Sequence, residues 1–435
     1  MLIPLPGAKQ RSVIANPAVW RLLIVALLAE IGYAVLNIST MPVYLKAPPT
    51  NTWISNGRGL GASVIGLVLV AFLLSEAIFK GPMGHLADRF GPKRLMLVGP
   101  LLSTGTAILT LAVPHGGGAW EVLAFMLLRA IDGLGAAMLW PAAFSEMGAA
   151  VDDGERQQAM SFLNLCYMLG IALALPIGGA VNDLTHLKWA GLILAAGLFA
   201  CVSASVALFI PSGRIAVPAE AGEPGGFKLG EFIQSMRQIP VYLLLAIVTY
   251  AGIGFPMAIV KIFAQDAFNM SESAFGGLVF PAAILMAATS VPMSRFGDRI
   301  GRIKAVHVGM GACAAGLIFI ASGAVLPGMR QVWVLVAGSL PVGLGFLLAI
   351  PAWMASVSDI DSKKRGANLG AVMTAQGLGA IIGAPVGSAL YEKLQPVGVA
   401  LGLGPGFGYY APWVGCAACI TSGWLLGLRI LREPK

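Results

Sequence analysis

Charge is what this sequence has least of. Only 11% of its 435 residues are Asp, Glu, Lys or Arg, against 57% hydrophobic, and the mean hydropathy is +0.82. Such a balance excludes an ordinary soluble domain, which needs far more charge to stay in water. Equally missing are the short motifs of catalysis. There is no G-x-x-x-x-G-K-[ST] phosphate loop, no H-E-x-x-H helix and no G-x-S-x-G elbow in a suitable setting, which argues against an enzyme. Cysteine is sparse too, with five residues at Cys166, Cys201, Cys313, Cys416 and Cys419. All fall in apolar runs, and the C-x-x-C of Cys416 and Cys419 has no His or carboxylate nearby, so packing rather than metal or redox chemistry is expected. Nothing in the sequence asks for a cofactor.

What is abundant is long apolar runs. They recur at 18–44, 62–84, 93–113, 119–147, 157–181, 187–211, 240–263, 274–295, 303–326, 332–354, 366–391 and 408–430. Each can cross a hydrocarbon layer of about 30 Å as a helix. The runs are continuous where barrel strands would alternate, so the expectation is an all-α membrane protein with twelve transmembrane helices. The first run is too long for a cleavable leader. An even number of crossings puts both ends on one side, and Lys and Arg say which. Twenty lie in loops on the side of the ends and five in the opposite loops, which predicts cytoplasmic termini in a cytoplasmic or plasma membrane. The net charge of +8 is thereby topology, and nucleic acid is not an expected partner.

The chain also repeats itself. Residues 84–94 read GHLADRFGPKR and residues 294–304 read SRFGDRIGRIK, so that Asp88, Arg89 and Gly91 return as Asp298, Arg299 and Gly301 at an offset of 210. Gly66, Gly135 and Pro141 recur at the same offset, as Gly276, Gly345 and Pro351. Gly170, Ala174, Pro176 and Gly178 recur at 209, and AEIGY at 29–33 aligns with AGIGF at 251–255. The expected architecture is two pseudo-symmetric six-helix bundles, residues 1–211 and 240–435, joined by a cytoplasmic linker at 212–239. Within that linker Leu229, Phe232, Ile233 and Met236 share a helical face, which suits an interfacial helix as well as an unstructured link. The small residues spaced by four at 170, 174 and 178, and at 379, 383 and 387, suit close helix contact.

On these residues the chain resembles a transporter of the major facilitator superfamily. The run from Gly84 through Asp88, Arg89, Gly91, Lys93 and Arg94 is similar to that family's signature loop after the second span. Arg129-Ala-Ile-Asp132-Gly133-Leu-Gly135 resembles its R-x-x-Q-G-x-G, with Asp in place of Gln. The motifs are nearest to those of proton-coupled drug and metabolite antiporters. The antiporter signature of the fifth span is defective, however: Leu175-Pro176-Ile177-Gly178-Gly179 is one residue short and lacks the Gly before Pro. The resemblance implies a gate in which Asp88 meets the start of the eleventh span near Gly366 to Leu369, and Asp298 the start of the fifth near Gln157. Arg89, Arg299 and Glu146 are expected to complete it, with Glu146 as a partner for Arg89.

In this family the arginine at position 129 is associated with proton coupling. An ionised Arg near mid-membrane needs an acid, for which Glu30 in the first span is the first candidate and Asp132, three residues along the same face, the second. Alternating exposure would move such a carboxyl between dry and watery surroundings, which is what carrying a proton requires. Glu76 and Lys80 have the spacing of an intrahelical pair, serving either the helix or transport. Lys261, near the end of the seventh span, is read as reaching for the interface. Asn37, Asn164, Tyr167, Tyr250, Trp353 and Gln376 are the remaining candidates for a solute cavity between the halves.

The expected function is therefore a monomeric secondary transporter in a lipid bilayer that exports a small-molecule substrate against protons by alternating access. The alternatives are proton symport or facilitated uptake, and a transporter-like scaffold or sensor that moves nothing.

Overall fold

Proline and glycine set the boundaries of the helices in the computed structural model, which describes residues 16–50, 52, 54–116, 118–152, 156–210, 239–360 and 365–431. The linker expected at 212–239 lies almost wholly outside them. The first span is α1 (Pro17–Ala34), opened by Asn16 whose side chain accepts from the Ala18 amide. It runs through a π-helical turn, Val35–Thr40, into α2 (Met41–Lys46). The wide turn falls just ahead of Pro42, whose ring would crowd a regular helix and whose missing N–H leaves a carbonyl unpaired.

The next five spans are α3 (Ala62–Phe90), α4 (Pro92–Leu111), α5 (Ala119–Ala149), α6 (Arg156–Thr185) and α7 (Ala190–Phe209). In the second half, the seventh span breaks after Pro256 into α8 (Pro240–Met257) and α9 (Val260–Phe268), where a continuous helix was expected. Then follow α10 (Glu272–Ile300), α11 (Arg302–Ala321), α12 (Val332–Asp359), α13 (Arg365–Ala400) and α14 (Gly406–Ile430). Among the described residues eleven spans are long and apolar enough to cross a membrane, and α10, 29 residues from Glu272 to Ile300, takes the twelfth place.

The repeated D-R-x-G has a local cause. Gly91 and Gly301 are each the single residue between two helices, at φ 87° and 92°, a backbone conformation that a side chain disfavours. The motif loops are thus two copies of one tight corner.

Small residues seat the helices. Gly379, Gly383 and Gly387 lie along α13 against the backbone of Ile247, Ala251 and Phe255 on successive turns of α8. Gly170 and Gly178 of α6 lie against the side chains of Glu30 and Ser39 of the first span. A Cβ at Gly383 would collide with the Ala251 carbonyl, which flexible side chains cannot relieve. Gly383→Leu is therefore expected to destabilise the protein by about 1–3 kcal/mol, seen as a lower detergent-solubilised melting temperature. An unchanged melt would mean that α8 and α13 are not held by this seam.

The halves meet through α6 against α10 and α3 against α13. Gly276 approaches Pro176 in the first of these seams, and Gly66 approaches Ser388 and Ala384 in the second.

Candidate functional site

Arg129 and Asp132 stand one helical turn apart on α5 and are both fully buried. The guanidinium Nη1 donates to Asp132 Oδ2 at 3.1 Å, and Nη2 donates to Thr110 Oγ1 of α4 at 3.2 Å. Asn37 Nδ2, from the π-helical turn, donates to the same Asp132 Oδ2 at 3.1 Å and to the Tyr33 carbonyl at 3.1 Å. Nearby, Ser103 donates to the Tyr33 hydroxyl at 3.1 Å. The first choice of partner for Arg129 is thereby corrected: the acid paired with it is Asp132, not Glu30. The reason is local, since Asp132 reaches it along one helix face without a second helix having to deliver a carboxylate.

Glu30 belongs to another group. It is 5% exposed, held where Gly170 lets α6 close on its side chain. Glu76 and Lys80 of α3 and the Tyr167 hydroxyl of α6 are its charged and polar neighbours. Glu76 and Lys80 form an ion pair at 2.8 Å, and the Lys80 side chain is half exposed. Tyr167 meets Trp140 edge to face, with ring centroids 5.1 Å apart. Glu30 makes no hydrogen bond to a described residue, so its carboxyl is not committed to the packing.

Four of the solute candidates fall in two cavities. Asn37 and Arg129 border a small one of about 210 Å³ with Met41, Ile65, Val68 and Leu69. Tyr250, Trp353 and Gln376 share a larger one of about 530 Å³ in the second half, with Met310, Cys313 and Phe346 among its apolar walls. Trp353 is braced there by Tyr242, ring centroids 5.1 Å apart. The side chain of Asn164 lies outside the described residues, as do those of Asp88 and Asp298 and the residues from Gly366 to Leu369 that they were expected to meet. Arg89 and Arg299 are exposed, the Arg89 guanidinium lying 5.4 Å from the Phe90 ring centre, while Glu146 is buried towards the end of α5.

At the face opposite the D-R-x-G corners the sequence reading missed a polar seam between the halves. Glu272, fully buried, accepts from Lys261 at 2.7 Å, Lys188 at 2.7 Å and Asn182 at 2.9 Å. Lys261, 1% exposed, also donates to the Ser39 carbonyl and hydroxyl, both at 2.8 Å. It does not reach for the interface as expected, because a carboxylate and two oxygens of the packed core surround it. Lys46 pairs with Asp266, which also accepts from the Tyr391 hydroxyl at 2.6 Å. In this conformation the far face is shut. Among the described residues no three His, Cys, Asp or Glu gather as a metal would require.

Comparison with known proteins agrees with the fold. The pattern described as Major Facilitator Superfamily matches residues 22–257 and, a second time, residues 242–435. "Multidrug resistance protein 2" of Bacillus subtilis is 21% identical over 380 residues, covering 85% of this chain and 88% of the relative. "Quinolone resistance protein NorA" of Staphylococcus aureus is 24% identical over 375 residues, covering 85% and 89%. Among solved structures the nucleoside transporter NupG superposes with a TM-score of 0.70 at 15% identity, covering 96% of this chain and all of that one.

Proposed function

Because the chain belongs to the Major Facilitator Superfamily and is a multi-pass membrane transporter, we propose that it exports a small organic solute in exchange for protons. Glu30 is the observation that carries this reading. It is a buried carboxyl without a hydrogen bond to a described residue, beside a second acid and a half-exposed lysine. A group so placed can take and release a proton as the cavity changes face, without unfolding anything. Arg129 and Asp132 are the fixed counterpart, an ion pair that positions Asn37 and the first span. The apolar cavity around Tyr250, Trp353 and Gln376 supports a solute with an apolar body.

The excess of Lys and Arg in the loops on the side of the chain ends supports cytoplasmic termini, and with them the shut face is the outer one. Asp88 and Asp298, with Arg89 and Arg299, are then the cytoplasmic gate. The shortened Leu175 to Gly179 signature supports a second reading, proton symport into the cell.

The two separate in inside-out vesicles with a lumenal pH dye and a panel of quinolones, nucleosides and organic cations. Export by exchange is expected to make the lumen more alkaline when a transported compound is added outside. Acidification would assign symport, and transport with no pH change would sink proton coupling altogether.

A further inference from the structure

Two of the bonds across the far face are the same bond made twice. Asp183, near the end of α6, accepts from the Ser273 amide of α10 at 2.8 Å. Glu392, in α13, accepts from the Ser63 amide of α3 at 2.8 Å. Asp183 and Glu392 are 209 residues apart, and Ser63 and Ser273 are 210, the offsets that relate the rest of the repeat. Each amide belongs to the second residue of its helix, since α3 starts at Ala62 and α10 at Glu272. Amides in a first turn have no partner within their own helix, and a carboxylate there also meets the positive end of the helix dipole. In both bonds the acid comes from one half and the helix start from the other. Between them Ser39 and Lys261, equivalent by the alignment of the first and seventh spans, touch each other, so the pseudo-twofold axis passes through this seam.

We propose that Asp183 with the Ser273 amide, and Glu392 with the Ser63 amide, are paired latches of the outer mouth that open and close together. They are the counterpart, at the opposite face, of an acid meeting a helix start at the cytoplasmic gate, and the proposal rests on the alternating-access reading. When the halves part, each acid and each amide passes to water, so the bonds favour the shut face without locking it. The two sides differ in their support. Asp183 lies beside the buried Glu272 cluster, whereas the Ser63 and Glu392 bond is exposed and Ala62 stands where the repeat would place a second Glu272. The Glu392 latch is therefore the easier to release.

Hydrogen exchange read by mass spectrometry on the intact protein tests this. Asp183→Asn and Glu392→Gln keep the size of each side chain and remove its charge. Either variant alone is expected to speed exchange by about fivefold at both 61–66 and 271–276, the effect of losing the charge from a charge-assisted bond at a helix start. It should slow exchange at 88–94 and 298–304 in compensation. Faster exchange confined to the helix start facing the altered acid would make the contact a local cap and overturn the latch, as would no change. Asp88→Asn separates the two levels of the argument. If it shifts exchange between the faces while both outer variants act locally, the latch fails and alternating access stands. If it too acts only locally, alternating access fails with it.

Discussion

Glu30→Gln is expected to reduce solute-coupled proton movement by roughly a hundredfold or more, the scale of losing a positioned acid or base, while the protein stays folded. The amide matches the carboxyl in size, so the close approach of Gly170 is preserved. Glu76 and Lys80 keep their own pair at 2.8 Å. What disappears is the only property the proposal assigns to this position, the ability to bind a proton. The measurement is lumenal pH in vesicles alongside a melting curve. Proton movement that persists in a well-folded Glu30→Gln protein would remove Glu30 as the carrier and leave Glu76, next to it, as the acid to alter.

The largest effect on stability is expected one helix away. Asp132→Leu leaves the Arg129 guanidinium in a site with 0% exposure, with its carboxylate gone, and takes from the Asn37 amide one of its two acceptors. Breaking one side of a buried pair in this way costs about 3–5 kcal/mol. Thermal unfolding in detergent should show it plainly. The double variant Arg129→Met with Asp132→Leu is expected to recover most of that loss, because apolar side chains of similar volume replace a buried pair at little net cost. A double variant as unstable as the single would show that the damage comes from packing and not from the orphaned charge. Transport should be lost in both, which separates the role of the pair in function from its role in folding.

Much of the fold was legible because a membrane permits so few solutions. Runs of twenty apolar residues have to be helices, and a constant offset between Asp88 and Asp298 has to mean two copies of one unit. The pairing of Arg129 with Asp132 was within reach for the same kind of reason, since a three-residue spacing on a helix is a distance. Glu30 was legible as a buried acid but not in its company. Nothing in the sequence says which face of α3 turns towards the first span and brings Glu76 and Lys80 to it. The polar seam opposite the D-R-x-G corners was read least well. Lys261 and Glu272 sit at helix ends, where hydropathy gives no period, and their partners Ser39, Asn182 and Lys188 are distant in the chain. A signal was present all the same. Asp183 and Glu392 occupy equivalent places in the repeat, as do Ser63 and Ser273, and matched acids opposite matched helix starts are what a duplicated closure would leave behind.

α10 has a consequence for how the molecule is made. It begins on a carboxylate, Glu272, at the face where the halves meet. Lipid alone gives such a segment a weak hold, because an acid entering the bilayer without a partner is costly. The partners of Glu272 that lie outside its own half, Asn182 and Lys188, are synthesised earlier, as is the Pro176 turn on which Gly276 rests. Together with Lys261 of its own half, these contacts from the first bundle already exist in the chain when α10 is made.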